Sequence, residues 1–486
     1  MCKNWIILLF FLDSTLALAQ FERTHTPARF LDTVPNAVSD SLKERLSRKA
    51  KSVTGKLSQA NFIKSLYEKH NEALTKFYND DFFIQDDEIA DYLQIVLQRV
   101  LSDNPLIKGS LKIYAFRSPT PNAITFWDGT IGVTLGLLAR MHNEDELAFV
   151  ICHELAHYYD QHIDKRIAEI ARINYDPEIE KEIKSIKYDR FAKYTKLKKL
   201  YNDLGLSIYH HNRKEEFRAD SIGITFMMRT SYHPQAALRL MEILDSASIS
   251  QFDLKMNLRT IFNFQNYPFK EQWLDHSKSN MIHQMGDEEV GDSDTIKTHP
   301  DCKRRIMALK NILIGNGLSI KPISNTTNEL AERVNKRSEM EMVESENYFK
   351  HYGRSMFLSL ALLQKYPNNF YLHGMIGRNL AQIYLSMKNH QFGKVVSFPD
   401  DRYEDSYNLI LSFLQKLRIT EVASLAYYYM VSRPEVYFRD EEFLYSLWYS
   451  AQMPMSEISA VSVKDDYLTQ FPSGYHASFF KSKLAN

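Results

Sequence analysis

Between Asn79 and Ser102 the stretch FFIQDDEIADYLQIVLQRVL returns an apolar residue every three or four positions, with acidic residues at its head. That rhythm predicts an amphipathic helix whose first turn suits its dipole. The pattern then shortens. Leu111–Phe116 (LKIYAF) reads as a strand, SPTPNA at 118–123 as a turn, and Thr130–Thr134 (TIGVT), closed by Gly136, as a second strand. Helical spacing resumes at Leu147, Val150, Ile151, Leu155 and Tyr158. Asn143 is the natural N-cap of this helix, and Glu146 three residues on makes a capping-box variant. The pattern lets this helix run past His162, with Pro177 as its outer limit.

Residues 163–211 are strongly charged (KEIKSIKYDRFAKYTKLKK at their centre) and read as a solvated helical excursion. Helices follow at about Arg213–Thr230 and Pro234–Ala247. The segment 248–297 is irregular and rich in aromatic residues and Met, the composition of a lid or binding element. GNGLSIKPISNTTN at 315–328 reads as a break between domains, and 340–486 as several amphipathic helices. Part of that tail resembles tetratricopeptide units, without a clean 34-residue period. The fold class expected is therefore mainly α: an α+β domain with a small sheet, followed by an α-helical C-terminal domain.

Composition adds little to this picture and removes some partners. Of 486 residues 44% are hydrophobic and 25% charged, a globular balance with room for two or three domains. Lys+Arg and Asp+Glu both total 60, so no basic field exists to gather nucleic acid or anionic lipid. Residues 1–20 (MCKNWIILLFFLDSTLALAQ) have the layout of a secretory signal cleaved after Ala19. Their apolar core, Trp5–Leu12, is too short for a bilayer, which needs about 20 apolar residues. The mature chain is thus expected to be exported, periplasmic or secreted, without a transmembrane span. Its two cysteines, Cys152 and Cys302, make either one bridge or two buried thiols.

The chemistry concentrates in ICHELAHYYDQH, Ile151 to His162. On a helix His153 and His157 differ by about 40° in azimuth and one turn in height, so both imidazoles can grip one ion. Glu154 beside them can reach a water on that ion. His162, nine residues from His153 on a continuous helix, points roughly to the opposite side and is not expected to be a third ligand. Five residues alone match by chance in a few per cent of chains, so a ligand from elsewhere is required. The best candidate lies in NRKEEFRADSIGITFMM, where Glu216 and Asp220 share one helix face. Glu216 would complete a His₂Glu zinc site with one position left for water, and Asp220 would orient His153. Taken alone, the pair also fits an ordinary exposed acidic face. KTHPDCKRRI supplies a third element, His299 held by a proline, with Arg305 six residues on. His299 would either donate to an oxyanion or sit on the metal at rest; the bland alternative is a surface turn capping the next helix.

Together PNAITFWDGTIGVTLGLLARMHNEDELAFVICHELAHYYDQH, EFRADSIGI and THPDCKRRI resemble the gluzincin peptidases of family M48, over about 80–310 with gaps. The resemblance implies a zincin-like domain and one zinc ion held by His153, His157 and Glu216. It implies Glu154 as catalytic base, Asp220 as partner of a ligand imidazole, and His299 and Arg305 as catalytic residues. TIGVT corresponds to the family's edge strand, so Gly129, Thr130, Ile131, Gly132 and Val133 are expected to bind substrate main chain. The charged 163–211 fits the soluble, periplasmic branch of the family better than its membrane members. Cys152 stands where the family usually has alanine or glycine. The expected organisation is a signal at 1–19, an arm at 20–60, a metallopeptidase domain at 61–320 and a helical domain at 340–486. The expected function is zinc-dependent endopeptidase action on extended or misfolded polypeptides in envelope quality control. The rival is a latent protease that binds polypeptides, or a protein partner, through its helical tail as an assembly chaperone.

Overall fold

The structure, a computed structural model, describes residues 23–28, 57–79, 82–109, 111–178, 181, 213–246, 256–274, 302–320, 328–401 and 403–482. The expected signal, most of the arm at 20–60, most of the charged excursion and His299 lie outside the described residues. The chain divides into two compact units, one drawn from 28–247 and 287–335, the other from 1–27, 248–286 and 336–486. The architecture is mainly helical with one small sheet.

The first unit opens with helices α1 (Leu57–Asn79) and α2 (Asp87–Ser102). Asp86 starts α2 by accepting a hydrogen bond from the Ile89 amide at 3.0 Å, which satisfies one of the orphan donors of the first turn. The apolar face of α2 (Ile89, Leu93, Val96, Leu97, Val100) is buried, and the helix packs on strand β1 (Lys112–Phe116). Strands β2 (Ala123–Thr125) and β3 (Thr130–Thr134) complete a three-stranded sheet in the order β1-β3-β2. Strand β3 runs parallel to β1, with Lys112 opposite Thr130, and antiparallel to β2, with Ile124 opposite Gly132. Between β2 and β3 the chain turns at Gly129, whose φ of 88° a side chain would strain.

This order corrects one expectation. Thr130–Thr134 is the central strand and is buried along its length, so its main chain is consumed by neighbours on both sides. Gly129, Thr130, Ile131, Gly132 and Val133 therefore cannot pair with substrate. Of the two outer strands, β1 is bridged on its far side by residues 82–84, which leaves as the edge β2, a three-residue strand too short to show an alternating pattern.

Helix α3 (Glu144–Tyr159) carries the histidine motif. Asn143 caps it through the Glu146 amide at 3.1 Å, while the Glu146 carboxylate reaches back to the His142 amide at 2.7 Å. Every residue from Glu146 to Ala156 is buried, as expected of a helix that is apolar nearly all round. The helix does not run on past His162. It ends at Tyr159, Gln161 adopts a left-handed conformation at φ 54°, and a new helix, α4, spans His162–Asn174. Helices α5 (213–227), α6 (Ala236–Asp245) and α7 (Cys302–Gly315) complete the unit, with α6 packed against both α3 and α7. Cys152 and Cys302 are both buried free thiols.

The chain passes between the units within α8 (Glu329–Tyr348). The second unit continues with α9 (Tyr352–Lys365), α10 (Phe370–Lys388), α11 (Asp405–Lys416), α12 (Ile419–Val431), α13 (Glu441–Ser450), α14 (Ala460–Gln470) and α15 (Ala477–Ser482). Helix α10 is its axis, buried from Tyr371 to Ala381 and packed against α9, α12 and α13. Residues 256–274 belong to this unit, not to the 61–320 domain expected for them. Their rings explain why: Phe262 stacks on Phe413, Tyr267 on Tyr428, and Trp273 meets Phe413 edge-on. Among the described residues no helix is long and apolar enough to cross a membrane.

Candidate active site

Three side chains from α3 and α5 converge in the first unit. His153 Nε2 lies 3.1 Å from His157 Nε2. Glu216 places Oε2 3.5 Å from the first nitrogen and Oε1 3.3 Å from the second. A tetrahedral zinc bonded at about 2.0–2.1 Å requires its ligand atoms to stand roughly 3.3 Å apart. The three separations fit that edge length, and the donor set of two imidazoles and a carboxylate is one zinc accepts at catalytic sites.

The His153 ring is locked from behind. Its Nδ1 is 3.0 Å from Asp220 Oδ1, which leaves Nε2 as the nitrogen facing the cluster. Burial alone would lower the affinity of this imidazole for a proton, but the Asp220 and Glu216 carboxylates raise its pKa to about 10. The same two carboxylates favour positive charge at this position, whether a proton or a metal ion supplies it. Asp220 is itself gripped by Arg305, Nε to Oδ2 and Nη2 to Oδ1, both at 2.7 Å. Burial would raise the Asp220 pKa; the guanidinium beside it prevails and holds the carboxyl below its ordinary value.

Arg305 also places Nη1 2.8 Å from Glu216 Oε2 and is fully buried. Its fork is spent on the two site carboxylates. That gives Arg305 a positioning part in place of the directly catalytic one the resemblance implied.

Glu154 is buried at the same level of α3. The Thr125 hydroxyl donates to its Oε2 at 2.7 Å, so the edge strand β2 holds the carboxylate through a side chain. The same strand leaves Ala123 and Thr125 with main-chain groups directed away from β3, because Asn122, Ile124 and Phe126 occupy the paired positions. Thr125 is a site residue that the sequence pattern did not indicate. A threonine in AITF has no spacing relation to the histidine motif; only the sheet brings them together.

The reversal at Asp160–Gln161 brings in a second such residue. His162 Nδ1 lies 2.8 Å from His157 Nδ1, behind the metal-facing edge of that ring, and His162 Nε2 is 2.8 Å from Asp160 Oδ2. Burial, reinforced by His157, lowers the His162 pKa to about 4 and keeps the ring neutral. The outward position expected for His162 holds only for an unbroken helix, and the helix breaks.

The model of peptidase family M48 matches residues 88–313, a span containing every residue of this cluster. The chain is also similar to mitochondrial metalloendopeptidase OMA1 of Schizosaccharomyces pombe, at 29% identity over 159 residues, 32% of this chain and 44% of that protein. Its counterpart in Saccharomyces cerevisiae is 24% identical over 172 residues, 34% of this chain and 44% of the relative. A Vibrio cholerae protein described as a candidate beta-barrel assembly-enhancing protease is 28% identical over 94 residues, 19% of each chain. The chain spans less than half the length of each of these relatives.

Proposed function

We propose that the chain, whose residues 88–313 match the model of peptidase family M48, is a zinc-dependent endopeptidase acting on extended or misfolded polypeptides. The observation that carries this reading is the triangle of His153, His157 and Glu216, whose atoms stand 3.1, 3.3 and 3.5 Å apart. Zinc bound there supplies Lewis acidity, lowering the pKa of a water and polarising a scissile carbonyl.

The protein's own residues do the rest. Glu154 takes the proton from the attacking water and passes it to the leaving amine, with Thr125 fixing the carboxylate between the two transfers. An extended substrate lies along β2, paired with the outward main-chain groups of Ala123 and Thr125. Recognition through main chain favours segments free of their own secondary structure, hence unfolded or misfolded polypeptide.

The signal-like segment at 1–19 supports action outside the cytoplasm, in the envelope. The similarity to a protein described by beta-barrel assembly supports envelope protein quality control as the setting. The experiment is a Glu154→Gln protein assayed on unfolded casein, with elemental analysis and a chelator control. Cleavage should vanish in the variant while one zinc per chain is retained. Cleavage that survives either the substitution or the chelator overturns the reading.

A further inference from the structure

We propose that Asp160 and His162 form a relay that fixes the tautomer and orientation of His157, making His162 a positioning residue of the metal site. The inference rests on the reading of His153, His157 and Glu216 as metal ligands.

The facing Nδ1 atoms of His157 and His162, 2.8 Å apart, share one hydrogen: one nitrogen donates and the other accepts. Two arrangements of the neutral rings are possible. In the first, His162 carries its hydrogen on Nε2, toward the Asp160 carboxylate at 2.8 Å, and its bare Nδ1 accepts from His157 Nδ1–H. His157 Nε2 then presents a lone pair to the cluster. In the second, His162 donates from Nδ1 and turns a bare Nε2 against the carboxylate, a repulsive contact. His157 would then carry its hydrogen on Nε2, where a metal must bind. The first arrangement leaves the bare His157 Nε2 3.3 Å from Glu216 Oε1, whose charge the buried Arg305 shares, whereas the second sets a bare nitrogen 2.8 Å from Asp160; the shorter contact selects the first arrangement, which is the one that binds a metal.

Asp160 is itself anchored. Arg218 donates to it through Nε at 2.6 Å and Nη2 at 2.9 Å, and Lys165 Nζ stands 2.8 Å away. Arg218 lies on α5, the helix that also carries Glu216 and Asp220. One helix therefore supports both imidazoles, His153 directly through Asp220 and His157 through Arg218, Asp160 and His162. The rings of His157 and His162 cross at 76° with centroids 4.7 Å apart, so the contact is edge-directed through nitrogen and is not a stacked packing contact.

The test compares wild type with His162→Ala, His162→Asn and, as a control on the metal site, His153→Ala. Zinc affinity is read by competition with a chromophoric chelator, and imidazole tautomers by long-range ¹⁵N–¹H NMR on the metal-free proteins. Wild type should show His157 protonated on Nδ1. His162→Ala should lose about 10–100-fold in zinc affinity and leave His157 as a tautomer mixture. His162→Asn, whose side-chain oxygen takes the place of Nδ1, should recover most of both, which a loss of mere packing would not. An unchanged affinity and tautomer in His162→Ala, or a wild-type His157 protonated on Nε2, overturns the relay. Should wild type and His153→Ala both fail to take up zinc, the metal-site reading falls, while the tautomers of the metal-free protein still decide the relay.

Discussion

A β-carbon added at Gly223 would stand 3.1 Å from both the Cα and the amide nitrogen of His153. At that point α5 and α3 touch backbone to backbone, and the contact sets how far Glu216 and Asp220 reach toward the imidazoles.

Gly223→Ala should therefore push the two helices apart by a few tenths of an ångström. Overpacking of this kind costs about 1–3 kcal/mol of stability. The more telling effect is on the ligand triangle, with zinc affinity expected to fall about tenfold, in the range of outer-shell substitutions. A chelator-competition titration checks this; an affinity equal to wild type shows that the close approach does not set the geometry.

Thr125→Val removes the hydroxyl held 2.7 Å from Glu154 Oε2 while keeping its volume. A buried carboxylate that loses a donor pays about 1–3 kcal/mol. If part of that cost falls on the proton-transfer step, kcat should drop roughly tenfold, with zinc content unchanged. Thr125→Ser should retain most of the activity. Equal kcat in the valine variant and wild type would remove Thr125 from the site.

Arg305→Met leaves Asp220 and Glu216 without the cation now bonded to both. Breaking a buried ion pair from one side costs about 3–5 kcal/mol. Zinc shares the neutralisation of Glu216, so the loss in thermal stability should be larger in chelator-treated protein than in zinc-loaded protein. Arg305→Lys should rescue poorly, since an ammonium cannot reproduce the bidentate fork on Asp220. A loss in melting temperature independent of chelator would place Arg305 outside the metal site.

The helical unit carries its own acid sensitivity. His373 on α10 accepts from the Tyr429 hydroxyl at 2.7 Å through Nδ1 and donates to the Pro367 carbonyl at 3.0 Å through Nε2. Burial, with Arg433 adding to it, lowers its pKa to about 4 from an ordinary 6.5. The folded ring stays neutral while the unfolded one takes a proton. Its contribution is therefore full above about pH 6.5 and is lost as pH falls toward about 4. The expected slope approaches about 1.4 kcal/mol per pH unit from this residue. Urea unfolding of wild type and His373→Gln between pH 7.5 and 4.5 checks it: the variant's curve should be flatter, and parallel curves would refute the assignment.

What could be known from sequence alone was whatever depends on neighbours along the chain. The capped helix at Asn143, the one-turn spacing of His153 and His157, and the shared face of Glu216 and Asp220 are periodic facts, legible because a helix repeats every 3.6 residues. The resemblance of three ordered segments added the peptidase reading, which the match over 88–313 supports. Tertiary structure decided the rest. Strand β2 exists because three residues fold back on β3, and that pairing moved the substrate edge from Thr130–Thr134 to Ala123–Thr125. A single left-handed residue, Gln161, turned His162 from the far side of a helix onto His157. The backbone contact at Gly223 and the fork of Arg305 join residues that are 70 and 85 positions from their partners His153 and Asp220. No local period encodes such pairings, because they are selected by packing of the whole unit, where each contact is worth having only once the others have formed.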